Sequence, residues 1–255
     1  MSSIGLIKLA EKNKFPIGKG KNKEIKVNNP RVTFDGINWW ISVGVECEEN
    51  SNIPNNDGIG IDIGIKDLAI CSDKSTYKNI NKSKKVKKLK KKKRRLQRKV
   101  SRKYLKNKKG GSYCKTSNII KSEKELLKLN HRLTDIRHNY LHQVTSEIVI
   151  RKPKFIVLED LNVSGMMKNR HLAKAVQEQC FYEFYRQIEY KCNWNNIEFV
   201  VADRFYPSSK LCSVCGNIKK DLKLSDRTYI CECGNKIDRD YQASVNLCNY
   251  GKSIV

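Results

Sequence analysis

Hydrophobic positions along this chain follow three patterns in turn, and each predicts a different element. Alternation comes first. Arg31-Val32-Thr33-Phe34 and Trp39-Trp40-Ile41-Ser42-Val43 flank Asp35-Gly36, which predicts a β-hairpin. Ahead of it, Lys8 to Lys26 is glycine- and lysine-rich and weakly patterned, and reads as part of a barrel or sheet whose other strands are missing. Glu48 to Asp57 reads as a linker. From Gly58 to Gly64 a β-branched run punctuated by glycines predicts a strand. Asp67 to Ser72 and Thr76 to Ile80 extend it into an antiparallel meander.

Helical spacing follows. Val86, Leu89, Leu96, Val100 and Tyr104 fall in a narrow arc at the helical angle, which predicts a helix of about 35 Å with a thin apolar stripe. Asn107 to Ser112, with Gly110-Gly111, ends it. A second helix is expected from about Ser117 to Val149, with Leu126, Leu133, Ile136, Tyr140, Val144 and Ile148 on one face. Matched stripes and a short turn make the two an antiparallel pair. The third pattern is an unbroken apolar run, Phe155 to Leu158, which follows Pro153 and predicts a buried strand ending at Glu159. Leu172 to Cys192 is expected to be one helix, with Phe181, Tyr185, Ile188 and Cys192 on one side. Ile197 to Ala202 is the last strand, and Tyr241 to Tyr250 a closing helix.

Charge changes this picture. The chain has 255 residues, enough to bury a core as one large domain or two smaller ones, and a formal charge of +26. A field of that sign collects polyanions, nucleic acid before a membrane surface. Between Lys82 and Lys109 stand 18 Lys or Arg and no acidic residue, while the rest of the chain holds 34 basic against 26 acidic residues. Lys87, Lys90, Lys91, Arg94, Arg95, Arg98 and Arg102 are therefore the candidate nucleic-acid contacts. No apolar run is long enough to span a bilayer, and Met1 to Ala10 lacks a signal-peptide apolar stretch. A cytoplasmic protein without a membrane partner is expected, in which the ten cysteines are thiols or metal ligands.

Four of those cysteines are spaced for metal. Cys212-Ser213-Val214-Cys215-Gly216 and Cys231-Glu232-Cys233-Gly234 stand fifteen residues apart, a four-thiolate zinc pattern whose second pair has a tighter bite than the common knuckle. Four thiolates leave no open position for water, so the zinc is expected to be structural. Cys47, Cys71, Cys114, Cys180, Cys192 and Cys248 are scattered and need no chemistry. Among the acidic residues, Asp62 lies mid-strand between Ile61 and Ile63, an expensive place for a carboxylate, although turn-capping beside Gly64 also accounts for it. Glu159 ends an apolar strand. Asp240 opens the last helix, where capping is the plainer role. Spacing alone leaves all three open. His131, His138 and His142 share a helix face that reads as solvated or RNA-facing, and Trp39 and Trp40 read as packing residues before base-stacking ones. Asp203 is a minor metal candidate and Asp160 a supporting group or cap.

A family resemblance joins these fragments. Gly60-Ile61-Asp62-Ile63-Gly64-Ile65-Lys66-Asp67-Leu68-Ala69 comes first, then Leu158-Glu159-Asp160-Leu161-Asn162 and Gly165-Met166-Met167-Lys168-Asn169. Pro207-Ser208-Ser209-Lys210 precedes the first cysteine pair, and Ser225-Asp226-Arg227 and Asp238-Arg239-Asp240 flank the second. From about residue 24 onward this order resembles the signatures of the TnpB (OrfB) proteins of insertion sequences, relatives of the type V CRISPR effector nucleases. The resemblance implies an α/β, RNase H-like (RuvC) fold whose mixed sheet has three antiparallel strands extended by two parallel ones. It adds a long basic helical hairpin insertion, a zinc ribbon insertion and an N-terminal partial β-barrel. The implied organisation is 1–48 barrel remnant, 58–81, 151–206 and 237–255 nuclease domain, 82–150 basic hairpin and 207–236 zinc ribbon.

It further implies that Asp62, Glu159 and Asp240 are catalytic and hold two Mg²⁺ (or Mn²⁺) about 3.5–4 Å apart, with Asp62 bridging. Zn²⁺ is left to the thiolates. The implied activity is transposon-associated, RNA-guided DNA cleavage, with a guide RNA derived from the mobile element and target DNA as partners. Two departures stand out. The chain starts partway through the barrel, as if N-terminally truncated, so a cleavage-incompetent remnant that only binds RNA or DNA is the alternative. Gln242 stands where family members usually have Asn. A zinc-ribbon regulator of transcription is a third reading, and it predicts sequence-specific duplex binding without a guide.

Overall fold

Asp35, set between two alternating runs, makes the first turn. Its Oδ1 accepts from the amides of Ile37 and Asn38 at 2.8 and 2.7 Å, and its Oδ2 from the Trp40 indole at 2.7 Å. The strands it joins, β1 (Val27–Phe34) and β2 (Trp39–Val45), pair antiparallel with an irregularity between Asn28 and Arg31. This computed structural model describes residues 27–45, 54, 56–223 and 225–255. The expected Lys8 to Lys26 segment, Cys47 and most of the linker from Glu48 lie outside the described residues. The hairpin belongs to one compact unit, Met1–Glu48, and the rest of the chain, Glu49–Val255, forms a second. Trp39 and Trp40, expected to pack, are 71% and 51% exposed among the described residues; the Trp39 ring lies 4.7 Å from that of Phe34 on the same ribbon.

In the second unit the glycine–isoleucine alternation becomes β3 (Ile59–Ile63), followed antiparallel by β4 (Asp67–Cys71) and β5 (Thr76–Lys78). A 3₁₀ turn, Ile80–Lys82, leads into α1 (Lys84–Lys106), whose first turn is capped by Ser83 accepting from the Val86 amide at 3.3 Å. Its 23 residues make about 35 Å of helix. The two-residue strands β6 (Lys108–Lys109) and β7 (Ser112–Tyr113) then reverse the chain into α2 (Ser117–Val149). Near the turn the helices are tied by Tyr104 to Glu123 at 2.6 Å and by Lys103 to Ser122 at 2.7 Å. Val86, Leu96 and Val100 are buried along α1, with Leu89 and Tyr104 half-buried. On α2, Leu133, Val144 and Ile148 are buried, while Leu126, Ile136 and Tyr140 sit at the margin and Leu129, Leu141 and Thr145 complete the face.

Pro153 ends the helical run and β8 (Phe155–Glu159) enters the sheet parallel to β3. After it come α3 (Val163–Lys168), α4 (Ala173–Gln179), α5 (Phe181–Trp194) and β9 (Glu198–Ala202), which is parallel to β8. The single helix expected over Leu172 to Cys192 is thus two, broken at Cys180 in the left-handed conformation (φ 55°, ψ 46°). The break lets the Gln179 side chain donate to the Gly64 carbonyl at 2.6 Å while Phe181 turns into the core. Two short antiparallel strands, β10 (Thr228–Ile230) and β11 (Lys236–Asp238), precede α6 (Arg239–Lys252).

The result is a mixed α/β fold with a five-stranded sheet of order β5-β4-β3-β8-β9. Strand period two gives each face its own partners. Ile59, Ile61, Ile63, Ile156 and Leu158 pack on one face against Leu141, Val144 and Ile148 of α2 and Phe184 and Ile188 of α5. On the other face Phe155, Val157 and Ala202 meet Leu247 and Cys248 of α6. Gly60 is what lets α6 approach β3: a Cβ there would lie 2.1 Å from the Ser244 carbonyl oxygen and 2.3 Å from the Cys248 amide nitrogen. Among the described residues no helix is long and apolar enough to cross a membrane.

Candidate functional site: an acidic cleft beside a cysteine cluster

The sheet register brings two carboxylates together. Ile61 on β3 pairs with Leu158 on β8, so the next residues, Asp62 and Glu159, are neighbours at the carboxyl ends of parallel strands about 4.8 Å apart. Both point to the α6 face, since Gly60 and Val157 do. Because α6 crosses β3 at Ser244 and Cys248, its first turn, with Asp240, reaches the same end of the sheet. The capping role belongs to Asp238, whose carboxylate accepts from the amides of Asp240 and Tyr241 at 3.0 and 3.1 Å. Asp240 is thereby left for other work.

Asp62, Glu159 and Asp240 line one cleft of about 360 Å³, together with Lys66, Ser209, Arg227 and Arg239. Burial, then repulsion from Glu159 and from Asp240, holds the Asp62 carboxyl well above the usual carboxylate range. Burial also raises Glu159, against the hydrogen bond that Ser208 donates to it. Asp240 takes the Arg239 guanidinium at 2.9 Å and lies 3.8 Å from that of Arg227. With one carboxylate turned to Ser208 and another to Arg239, the three are not as tightly gathered as the cysteines. Among the described residues only Cys212, Cys215, Cys231 and Cys233 place their ligand atoms all within 4.8 Å of one another. Partly buried carboxylates lining one cleft, all hard oxygen donors, nonetheless suit a divalent cation such as Mg²⁺ or Mn²⁺.

The cleft wall is held by distant side chains. Three consecutive carbonyls after β3 are each bound: Gly64 by Gln179 at 2.6 Å, Ile65 by Asn79 at 2.7 Å and Lys66 by Lys82 at 2.8 Å. The cysteine cluster lies on two turns, at Cys212–Gly216 and after β10. Its Cys212–Cys233 and Cys215–Cys231 sulfurs are 3.7 and 3.5 Å apart, close to the edge of about 3.8 Å that Zn–S bonds of about 2.3 Å give a tetrahedron. No cysteine is in a disulfide among those described. Burial opposes ionisation of Cys212, but hydrogen bonds from the Cys215 amide and the Asn235 side chain outweigh it and hold this thiol below its ordinary range. The donor set fits zinc.

Of the seven candidate nucleic-acid contacts, Lys87, Lys91, Arg94, Arg95, Arg98 and Arg102 are exposed on α1. Lys90 is not free: it is half-buried and paired with Glu178 at 2.6 Å, beside Arg137. Asp203 accepts from the Phe205 amide at 2.8 Å within its own loop, and Asp160 pairs with Arg204 at 2.6 Å. His138 and His142 are exposed and His131 half-buried on α2. Ser208, Arg227 and Arg239 were not picked out as site residues from their sequence positions, although each lies inside a motif quoted for the resemblance.

Comparison with known proteins bears on this arrangement. The OrfB_IS605 family model, described as probable transposase, matches residues 41–170, and the Cas12f1-like TNB domain model matches residues 181–247. A Streptomyces pristinaespiralis protein named as an RNA-guided DNA endonuclease is 34% identical over 213 residues, covering 84% of this chain and 50% of the relative. The Escherichia coli protein InsQ, similarly named, is 28% identical over 222 residues, covering 81% and 52%. The chain spans about half the length of the curated relatives it matches. In fold it is similar to the Cas12f1 chain of a cryo-EM complex with sgRNA and target DNA (TM-score 0.56, 19% identity, 83% of this chain and 42% of that one). A CRISPR-Cas12f ternary complex gives a TM-score of 0.54 at 20% identity, with the same coverage.

Proposed function

Because this chain belongs to the OrfB_IS605 family of probable transposases, we propose that it is an RNA-guided DNA endonuclease of the TnpB type, acting by two-metal phosphodiester hydrolysis. The observation that carries the reading is the meeting of Asp62 and Glu159 at adjacent strand ends with Asp240 of α6 in the same cleft. The sheet is read as an RNase H-like (RuvC) core, α1–α2 as its basic insertion and residues 207–236 as a zinc ribbon. Asp62, Glu159 and Asp240 would hold Mg²⁺ or Mn²⁺, which when bound activates water and stabilises the leaving oxygen. Ser208 orients Glu159, and Arg227 and Arg239 offer positive charge to the phosphate on the cleft rim. The exposed basic face of α1 would hold guide RNA or a heteroduplex by its phosphates, in the cytoplasm of the host of the mobile element.

Cleavage of guide-matched DNA with Mg²⁺, compared with Asp62→Ala, is the test; equal cutting by both proteins rejects the reading. A second reading, RNA or DNA binding without cutting, is favoured by the engagement of Asp240 with Arg239. In that case the same assay gives retained complexes and intact DNA for both proteins.

A further inference from the structure

Two metal sites of different character are expected in this chain, and one short segment touches both. Ser208 donates to Glu159 in the acidic cleft, and four residues later Cys212 belongs to the cysteine cluster. The segment between them is clamped to α6. Gln242 donates to the Leu211 carbonyl at 2.6 Å, and Asn246, one turn on, donates to the same carbonyl and to that of Ser208, both at 2.7 Å. The Gln242 carbonyl oxygen accepts from Ser213 at 3.0 Å and from Asn235 at 3.4 Å, and the Asn235 amide also lies 3.5 Å from the Cys212 sulfur. Gln242 and Asn246 are 0% and 1% exposed, so these amides have no water to fall back on. Asp240 sits two residues before Gln242 on the same helix. Moving Cys212 therefore pulls on Glu159 through Ser208, and on Asp240 through Gln242.

We propose that Gln242 is a positioning residue that couples the cysteine cluster to the acidic cleft, so that zinc at the first raises the affinity of the second for its divalent cation. This rests on the reading of the cleft as a cation site and adds a link between it and the cluster. Thiolate ligation fixes Cys212, the clamped segment becomes rigid, and Glu159 and Asp240 are held where a hard cation can use both. Coupling of this kind is reciprocal: loading the cleft must tighten the cluster by the same factor. Buried hydrogen-bonding partners around metal ligands commonly carry about 10–100-fold in affinity.

The test is a pair of titrations on the full chain. Co²⁺, followed by its thiolate charge-transfer absorption, reports the cluster, and Mn²⁺, followed by electron paramagnetic resonance, reports the cleft. In the unaltered protein each metal should tighten the other by one common factor of about 5-fold or more. Gln242→Ala should bring that factor to about 1 while both metals still bind. Ser213→Ala, which removes only one partner of the Gln242 oxygen, should lower it part-way and keeps the test open if Gln242→Ala fails to fold. A factor of 1 in the unaltered protein, with Mn²⁺ binding abolished by Asp62→Asn, overturns the coupling and leaves the cleft reading standing. Mn²⁺ binding that survives Asp62→Asn unchanged overturns the cleft reading, and the coupling with it.

Discussion

Gly60→Ala tests the packing on which the acidic cleft depends. The added Cβ would stand 2.1 Å from the Ser244 oxygen, 2.3 Å from the Cys248 nitrogen and 2.9 Å from the Leu247 carbonyl carbon, all backbone atoms of α6. Ordinary contact begins near 3.4 Å, so a gap of more than an ångström has to open. A flexible side chain could swing aside, but a helix backbone cannot, and α6 must lift as a body from β3. Overpacking of this kind costs about 1–3 kcal/mol. For a chain of this size that is roughly 2–12 °C in Tm, at about 2–4 °C for each kcal/mol. Asp240, one turn from Ser244, travels with the helix, and a misplacement of about 1 Å costs on the order of 100-fold in rate. Gly111→Ala is the control, since a Cβ there meets nothing within 4 Å. The assays are differential scanning calorimetry and cleavage of guide-matched DNA. A Tm for Gly60→Ala equal to that of Gly111→Ala would refute the close approach, whatever the activity.

Other expectations follow from the same contacts. Replacing Arg94, Arg95, Arg98 and Arg102 by Ala should reduce the slope of log K against log salt for RNA binding by about 3, at about 0.7–0.9 per phosphate contact; Lys90→Ala, whose amine is already held by Glu178, should leave the slope nearly unchanged. Cys212→Ser should abolish stoichiometric zinc by elemental analysis and make the 207–236 segment the first site of proteolysis, because its apolar content cannot fold it without metal. Glu183 is held down to about 2, chiefly by the Arg186 guanidinium and against its own burial. A depressed carboxylate stabilises the fold above its ordinary value of 4.5 and loses that contribution as pH falls toward 2. Glu183→Gln should therefore lower the unfolding free energy from urea titration by about 1 kcal/mol at pH 7 and leave it nearly unchanged near pH 2.

Which features were legible in the sequence follows from the range of the interactions that make them. The β3–β4–β5 meander and β8 could be read because alternation, a β-branched run and the flanking Gly and Pro are local signals. The α1–α2 pair could be read because 3.6-residue spacing persists over many turns. The break at Cys180 could not, since Phe181, Tyr185, Ile188 and Cys192 keep helical spacing on one side of it and no Gly or Pro marks it. It is stabilised from 115 residues away, where Gly64 takes the Gln179 amide. Asp238 and Asp240 are equally good caps by sequence, and only the amide directions separate them. Nor does a glycine inside a strand say what comes close to it; at Gly60 that is the backbone of the last helix. The acidic trio itself was visible through motif resemblance. Ser208 and Arg227 lie inside the same motifs, but that they contact Glu159 and Asp240 could not be read there, because those contacts form only when the chain folds.

The composition of α1 has a consequence of its own. Fifteen of its 23 residues are Lys or Arg and none is acidic. Repulsion at each three- or four-residue step costs a few tenths of a kcal/mol, so this rod strains against its own helicity and is held by the α2 seam and a handful of carboxylates. Any polyanion that lies along it supplies the missing counterions, whatever its sequence. Heparin should therefore raise the helix content and thermal resistance of the purified protein, and dialysis into low salt should fray this rod before any strand opens. On electrostatic grounds, a polyanion that reaches the rod first has to be exchanged for any later one.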